Sequence, residues 1–376
     1  MQTHLSLCMI VKDEEECIER CLRSVKNAVD ELIIVDTGST DATKDICKQY
    51  GGKVVDFPWT GSFAEARNFG LSQASGEWIL WLDADEELIV DNVFELREAL
   101  ATTTNDLMLL TLINFYGEQM DLNQIYTLAS HRLFRNGKGI QFVNAIHEHL
   151  NIDDLRDLLS GTGFLPFQIY HYGYLESVAA SKNKYQRNYS MLMKEKRKKQ
   201  HSPWVNYHLA SEHYRMKEYK QAFDELNLAI IGFLNINQLP PSLLYKMKYD
   251  ILLALGSIDG AWPAIDKAIA LYPDYVDLHF YKGIILYAKG WTEEAIAVFR
   301  KCLELGDHPL HYLSLRGVGS FHALYYMGLC HEHKGEYKQA IEVYEKAVRL
   351  CPNHELARQK IQETQLALNE DFTSDK

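Results

Sequence analysis

The chain reads as an α/β sheet domain followed by an all-α array of helical hairpins. Three observations carry this reading. Apolar runs of strand length alternate with amphipathic helical segments through the first half, the pattern of a parallel sheet wound with helices. A helix-period pattern of small and aromatic residues recurs through the second half. A strongly basic stretch, Ser181 to His201, separates the two. The expected division is an α/β domain over 1–180, a basic linker helix over 181–203, helical repeats over 204–368 and a polar tail over 369–376. A chain of 376 residues has room for two such cores.

The first strand is Leu5 to Val11, LSLCMIV. Acids from Asp13 to Glu16 then fill a first helical turn, and Ile18, Leu22 and Val25 recur at helical spacing. The second strand, Glu31 to Val35, runs into Asp36-Thr37-Gly38-Ser39-Thr40-Asp41, where Gly38 permits a tight turn and Ser39, Thr40 and Asp41 are candidate helix caps. Lys53 to Phe57 is a third strand. Phe63 to Ser75 is a helix with Phe63, Ala66, Phe69 and Leu71 directed inward. The next strand begins at Trp78 and is followed by Asp83-Ala84-Asp85-Glu86-Glu87. A helix from Asp91 to Ala101 leads into a buried strand over Leu107 to Phe115. Tyr126 to Phe134 reads as strand and turn, Ile140 to Ile146 as extended, and Gln168 to Tyr174 as a final strand and loop.

In such sheets ligands bind beyond the carboxyl ends of the strands. Asp13, Asp36, Asp83 and Asp85 all fall at or just past strand ends, which puts them on one crevice. Asp83 and Asp85 have D-x-D spacing, and in extended backbone residues two apart face the same side. Both carboxylates can meet one hard divalent cation, Mg²⁺ or Mn²⁺. No G-x-G-x-x-G follows the first strand and no G-x-x-x-x-G-K-[ST] occurs, so the dinucleotide and P-loop fingerprints are missing. His147-Glu148-His149 lacks the i, i+4 histidine pairing of helical zinc sites. Glu148 is instead the candidate acid–base group with His147 beside it, and His171 is a candidate metal or phosphate contact.

MIVKDEE, ELIIVDTGSTDAT and ARNFGLSQASGEWILWLDADEEL occur in that order and resemble family 2 glycosyltransferases. The resemblance implies a GT-A, Rossmann-like nucleotide-sugar fold and an inverting mechanism. It implies that Asp36 meets the nucleotide base, commonly uracil, with Val11 and Asp13 along the base and ribose wall. It implies that Arg67 meets the nucleotide or its phosphates, that Asp83 lies against ribose and metal, and that Asp85 ligates the metal on the diphosphate. The donor implied is a UDP-sugar. The usual Glu-Asp base pair and the Q-x-x-R-W motif of processive synthases are both missing. IHEHL and HYGY resemble the bacterial branch that carries tetratricopeptide repeats, which includes bacteriocin peptide glycosyltransferases.

In the second half, Tyr207 to Ile230 and Leu243 to Pro273 match the tetratricopeptide pattern loosely; His279 to Leu303 and Ala323 to Pro352 match it well. Gly283, Ala295, Gly328 and Ala340 let paired helices approach, and Tyr287, Phe299 and Tyr344 fill the gaps. The spacing stretches at Asp307 to Ser320, the mark of a longer loop. Stacked hairpins suit a peptide or protein acceptor, or the pairing of two copies of the chain.

The remaining expectations are exclusions. A net charge of −12 argues against a nucleic-acid binder. No apolar run reaches the roughly 20 residues of a membrane span, and Met1 to Val11 has no secretory signature. Seven scattered cysteines read as reduced thiols of a cytoplasmic protein. The basic linker reads as a solvated helix, with anionic lipid or RNA as the rival partner. The function expected is metal-dependent sugar transfer to a peptide or protein. Polysaccharide or lipid-linked glycan assembly, a nucleotidyltransferase and a non-catalytic repeat scaffold are the rivals. A nucleotidyltransferase would bring a glycine-rich loop after the first strand, where LSLCMIVKDEEE has none.

Overall fold

A computed structural model describes residues 3–176, 178, 184–307 and 311–374. Residues 181–183 of the expected linker, 308–310 of the expected loop and 375–376 of the tail lie outside the described residues. The chain divides into two compact units. One is residues 1–120 with 128–191; the other is 121–127 with 192–376.

The α/β unit is built on a mixed sheet. Its strands are β1 (Leu5–Val11), β2 (Glu31–Asp36), β3 (Lys53–Asp56), β4 (Trp78–Trp81), β5 (Glu86–Ile89), β6 (Leu107–Gly117), β7 (Ile125–Arg135) and, after a short hairpin of β8 (Phe142–Val143) and β9 (His149–Leu150), β10 (Thr162–Leu175). The sheet order is β3-β2-β1-β4-β7-β6-β10-β5. β3, β2, β1 and β4 run parallel, as the alternation of strand and helix predicts. The other half departs from the expected parallel sheet: β7 lies antiparallel to β4, and β5 antiparallel to β10. β5 was not expected at all, because its sequence, EELI, opens on two acids.

Both faces of the parallel half are covered, and the side chains divide by parity. Leu5, Leu7, Met9 and Val11 of β1 join Leu32, Ile34, Trp78 and Leu80 in the larger core. Cys8, Ile33 and Ile79 point to the opposite, smaller core. Helix α1 (Ile18–Val25) buries Ile18, Cys21, Leu22 and Val25, a single stripe. Helix α2 spans Thr43–Gln49, and α4 spans Val93–Thr102 with Asn92 as its cap.

Helix α3 (Phe63–Leu71) starts at Ser62, whose Oγ accepts from Glu65 N at 3.2 Å. It buries Ala64, Ala66, Arg67 and Gly70, while Phe63, Phe69 and Leu71 are only half-buried, a correction to the inward face read from the apolar residues. Arg67 takes the inward position because carboxylates await it there.

The helical unit consists of paired helices. Pro203–Arg215 packs on Tyr219–Asn235, Val276–Ala288 on Thr292–Leu305, and Phe321–His333 on Tyr337–Leu350. Between the first and second of these pairs lie Ser242–Ala254 and two short helices, Ile258–Ala261 and Ile265–Leu271, which explains the loose match there. Glu355–Ser374 closes the array, so the polar tail from 369 continues as helix through Ser374. The stretch expected as a long loop holds a short strand, Ser314–Leu315, which pairs with Tyr126 and Thr127 of the same unit. In the basic stretch, Lys184–Lys196 is helical, and the Tyr185 and Tyr189 rings stack at 5.7 Å. The helix crosses the division between the two units at residue 191.

Candidate functional site

The site residues converge on the carboxyl ends of β1, β2 and β4. Val11 and Asp36 are register partners at the ends of adjacent strands. Asp13 follows β1 in a left-handed conformation (φ 52°). Its Oδ1 accepts from Thr40 N at 2.7 Å, and its own N–H donates to Ser39 Oγ at 3.0 Å. Asp36 is buried, with Oδ2 accepting from Gly38 N and Ser39 N at 3.0 Å each and Lys44 Nζ at 3.6 Å. Asp13 and Asp36 thus close the 37–41 turn between them: three successive backbone N–H groups are used on two carboxylates. Val11 turns its side chain into the core, and its carbonyl accepts from Thr37 N and Oγ1. Only its main chain borders the turn.

Arg67 reaches across from α3 and joins two distant carboxylates. Nε donates to Glu148 Oε1 and Nη2 to Asp83 Oδ1, both at 2.6 Å. The guanidinium is buried, lies 4.8 Å from the Trp81 ring centroid, and leaves Nη1 without a partner. Nη1 belongs to a group lining a small cavity of about 10 Å³ with Cys8, Met9, Val35, Gly70, Trp81 and Phe142, room for about one water. Burial works against the charge on Asp83, but Arg67 outweighs it, so its carboxyl is held below the usual range. Glu148 is thereby an ion-pair partner with its side chain 11% exposed. His147 beside it has a left-handed backbone (φ 51°).

Asp85 faces a different strand. His171 stands in β10 between Asn114 of β6 and Glu86 of β5. The β10–β6 register shifts just past His171, a local irregularity of the kind that re-aims side chains beside binding sites. Asn114 Oδ1 lies 2.8 Å from His171 Nδ1, an amide oxygen placed to accept from the ring. His171 Nε2 lies 3.7 Å from Asp85 Oδ1. These two atoms, paired with each other as they stand, are the ones a cation seated between them would take. The structure brings Asp85 and His171 together and gives Asp83 to Arg67. Among the described residues, no three His, Cys, Asp or Glu side chains gather closely enough to hold a metal by themselves. A carboxylate oxygen with an imidazole nitrogen fits a transition cation such as Mn²⁺ better than Mg²⁺, and substrate phosphates and water would have to complete its shell.

Sequence reasoning missed the support beneath the D-x-D turn. Arg132 of β7 grips Glu86 with both ends of its fork, Nη2 to Oε1 at 2.6 Å and Nη1 to Oε2 at 3.0 Å. Both residues are buried, and the guanidinium stacks 3.8 Å over Trp81. Burial pushes the Glu86 carboxyl up to about 7 against the pull of Arg132. The signal available was weak: Arg132 stands directly before Leu133 and Phe134, in a strand that also carries Ser130, His131 and Arg135.

A mixed α/β sheet with acids at its strand tips, a buried arginine among them and a D-x-D turn defines a nucleotide-sugar domain of GT-A type. Residues 6–156 match the family model described as glycosyl transferase family 2, and residues 247–308 and 321–354 match tetratricopeptide repeat models. The chain thus carries a family 2 glycosyltransferase domain followed by tetratricopeptide repeats. It is 44% identical over 144 residues to a TPR repeat-containing protein of Synechococcus elongatus, covering 38% of this chain and 34% of that one. It is 27% identical over 304 residues to the SPbeta prophage-derived glycosyltransferase SunS of Bacillus subtilis, covering 74% of this chain and 65% of SunS. The S. aureus TarS 1-349 crystal structure aligns with 18% identity and a TM-score of 0.37, over 67% of this chain and 87% of that one. The chain spans about a third of the first relative's length and just under two-thirds of SunS. Among the described residues no helix is long and apolar enough to cross a membrane.

Proposed function

We propose that the chain transfers a sugar from a UDP-sugar to a peptide or protein acceptor, with inversion at the anomeric carbon. The observation that carries this is the meeting of Arg67, Asp83 and Glu148 beside the Asp85–His171 pair, in a domain of glycosyltransferase family 2. Asp13 and Asp36 hold the 37–41 turn as the wall against which the nucleotide lies. Asp85 and His171 would hold Mn²⁺ or Mg²⁺ together with diphosphate oxygens and water, and the cation would supply charge neutralisation for the leaving group, while Asp83 stays engaged by Arg67. Arg67 contributes positive charge on the same side. Glu148, the acid–base candidate of the sequence, is given the holding of Arg67. The repeats engage the acceptor, and the chain works in the cytoplasm.

The test is donor binding. UDP with Mn²⁺ should raise the melting temperature of the intact chain, and a UDP-sugar should be slowly hydrolysed. Asp85→Ala should keep the unliganded melting temperature within a few degrees and lose the cation-dependent rise. No rise and no hydrolysis with any UDP-sugar tried, in the presence of Mn²⁺ or Mg²⁺, removes the reading.

A further inference from the structure

The Arg132–Glu86 pair has a second partner, and that partner is the D-x-D turn itself. Glu86 Oε2 accepts the backbone N–H of Asp83 at 2.9 Å, and Glu86 N–H donates back to Asp83 O at 3.0 Å. One carboxylate therefore closes the turn that carries Asp83, Ala84 and Asp85. It is itself fixed by a bidentate guanidinium whose Cζ sits 3.8 Å over the centroid of the Trp81 ring. Trp81 in turn donates Nε1–H to His131 O at 2.8 Å, so ring, guanidinium and carboxylate form a stack rooted in β7. A buried arginine–carboxyl pair seldom stabilises more than apolar residues of equal volume would. The stack serves the orientation of the turn better than it serves stability.

We propose that Glu86 and Arg132 are positioning residues for the cation and diphosphate, holding Asp83 and Asp85 in register for them. This rests on the donor reading above. Neither residue touches donor or cation; both act through the Asp83 backbone.

The test uses the full chain and two variants. Glu86→Gln keeps the shape of the side chain and weakens the grip of Arg132. Glu86→Leu with Arg132→Leu removes both charges together, so no unpaired charge is buried and the fold is kept. Amide exchange is read for a peptide covering 82–88 and, as a control, one covering 5–11. The Mn²⁺ concentration for half-maximal UDP binding is measured in parallel. Both variants should exchange faster in 82–88 with 5–11 unchanged, and should need about tenfold more Mn²⁺. The double variant should do so with a melting temperature near that of the unmodified chain, an effect that a merely structural pair would not produce. Unchanged exchange in 82–88 overturns the proposal, as does faster exchange with an unchanged Mn²⁺ requirement. If the unmodified chain binds no UDP with Mn²⁺, the sugar-transfer reading falls, and the exchange result alone decides whether the pair holds the turn.

Discussion

Arg67 is the residue on which the two halves of the site depend. Its guanidinium neutralises Asp83 from α3 and Glu148 from the loop ahead of β9, partners 16 and 81 positions away. Glu148 could serve in two ways, and kinetics separate them. A base that takes the acceptor proton contributes to kcat; an anchor that fixes Arg67 contributes to donor affinity. Glu148→Gln keeps an acceptor oxygen but removes the charge, and should weaken UDP-sugar affinity about tenfold while leaving kcat within about threefold. A loss confined to kcat would return Glu148 to the role of base. All seven cysteines are buried and form no disulfide, and burial pushes the Cys8 and Cys47 thiols up to about 12.

At the scale of elements, sequence periodicity carried the parallel half of the sheet and the acids at its tips. Those signals are local: runs of apolar residues, and a polar break after each. β5 escaped because Glu86 is buried only by virtue of Arg132, 46 positions on. No local pattern encodes such a pairing, and an acidic strand opening reads as loop. The inward face of α3 was misjudged for the same reason, since the burial of Arg67 depends on carboxylates from two other segments. The repeats were more legible, because each helix pair packs through contacts close in sequence. Gly328 shows how tight that packing is: a Cβ there would lie 2.1 Å from Cε1 of Tyr344. The ring is buried, and its hydroxyl donates to Glu332 Oε2 at 2.8 Å, so it has nowhere to go. Gly328→Ala should lower unfolding free energy by about 1–3 kcal/mol, read from urea midpoints. Tyr344→Leu added to it should recover part of that loss by making room, whereas a fully additive pair would refute the steric account.

At the scale of the whole chain, the helical unit contains a buried polar cluster. Lys246 Nζ donates to Asp250 Oδ2 at 2.9 Å and to Tyr281 OH at 3.0 Å, and sits 4.5 Å from the Tyr126 ring centroid. Nearby Asp277 accepts from Leu315 N at 3.1 Å, but its Oδ2 is buried without a partner. Burial raises the Asp277 carboxyl to about 6, against the pull of Lys246. A carboxyl raised in the fold binds its proton more tightly there than when unfolded. Its stabilising contribution is complete below the unfolded value near 4 and is lost as pH climbs through about 6. Asp277→Asn cannot titrate and still offers Leu315 an acceptor. Relative to the unmodified chain, it should gain on the order of 2–3 kcal/mol of stability between pH 4 and pH 7, measured by urea unfolding at each pH. A difference that stays flat across that range would show that Asp277 is already ionised when buried.

The short segment 121–127 lies between β6 and the body of β7 in sequence, yet it packs as part of the helical unit. There it pairs with Ser314–Leu315, and Leu122 O accepts from Arg316 Nη1 at 2.8 Å. The polypeptide therefore enters the helical unit twice, at 121–127 and again from residue 192. Gene fusion or recombination at a single junction near residue 191 would deliver a repeat array stripped of its borrowed strand. A recombinant that kept the repeats but replaced 121–127 would leave Ser314–Leu315 without its pairing partner.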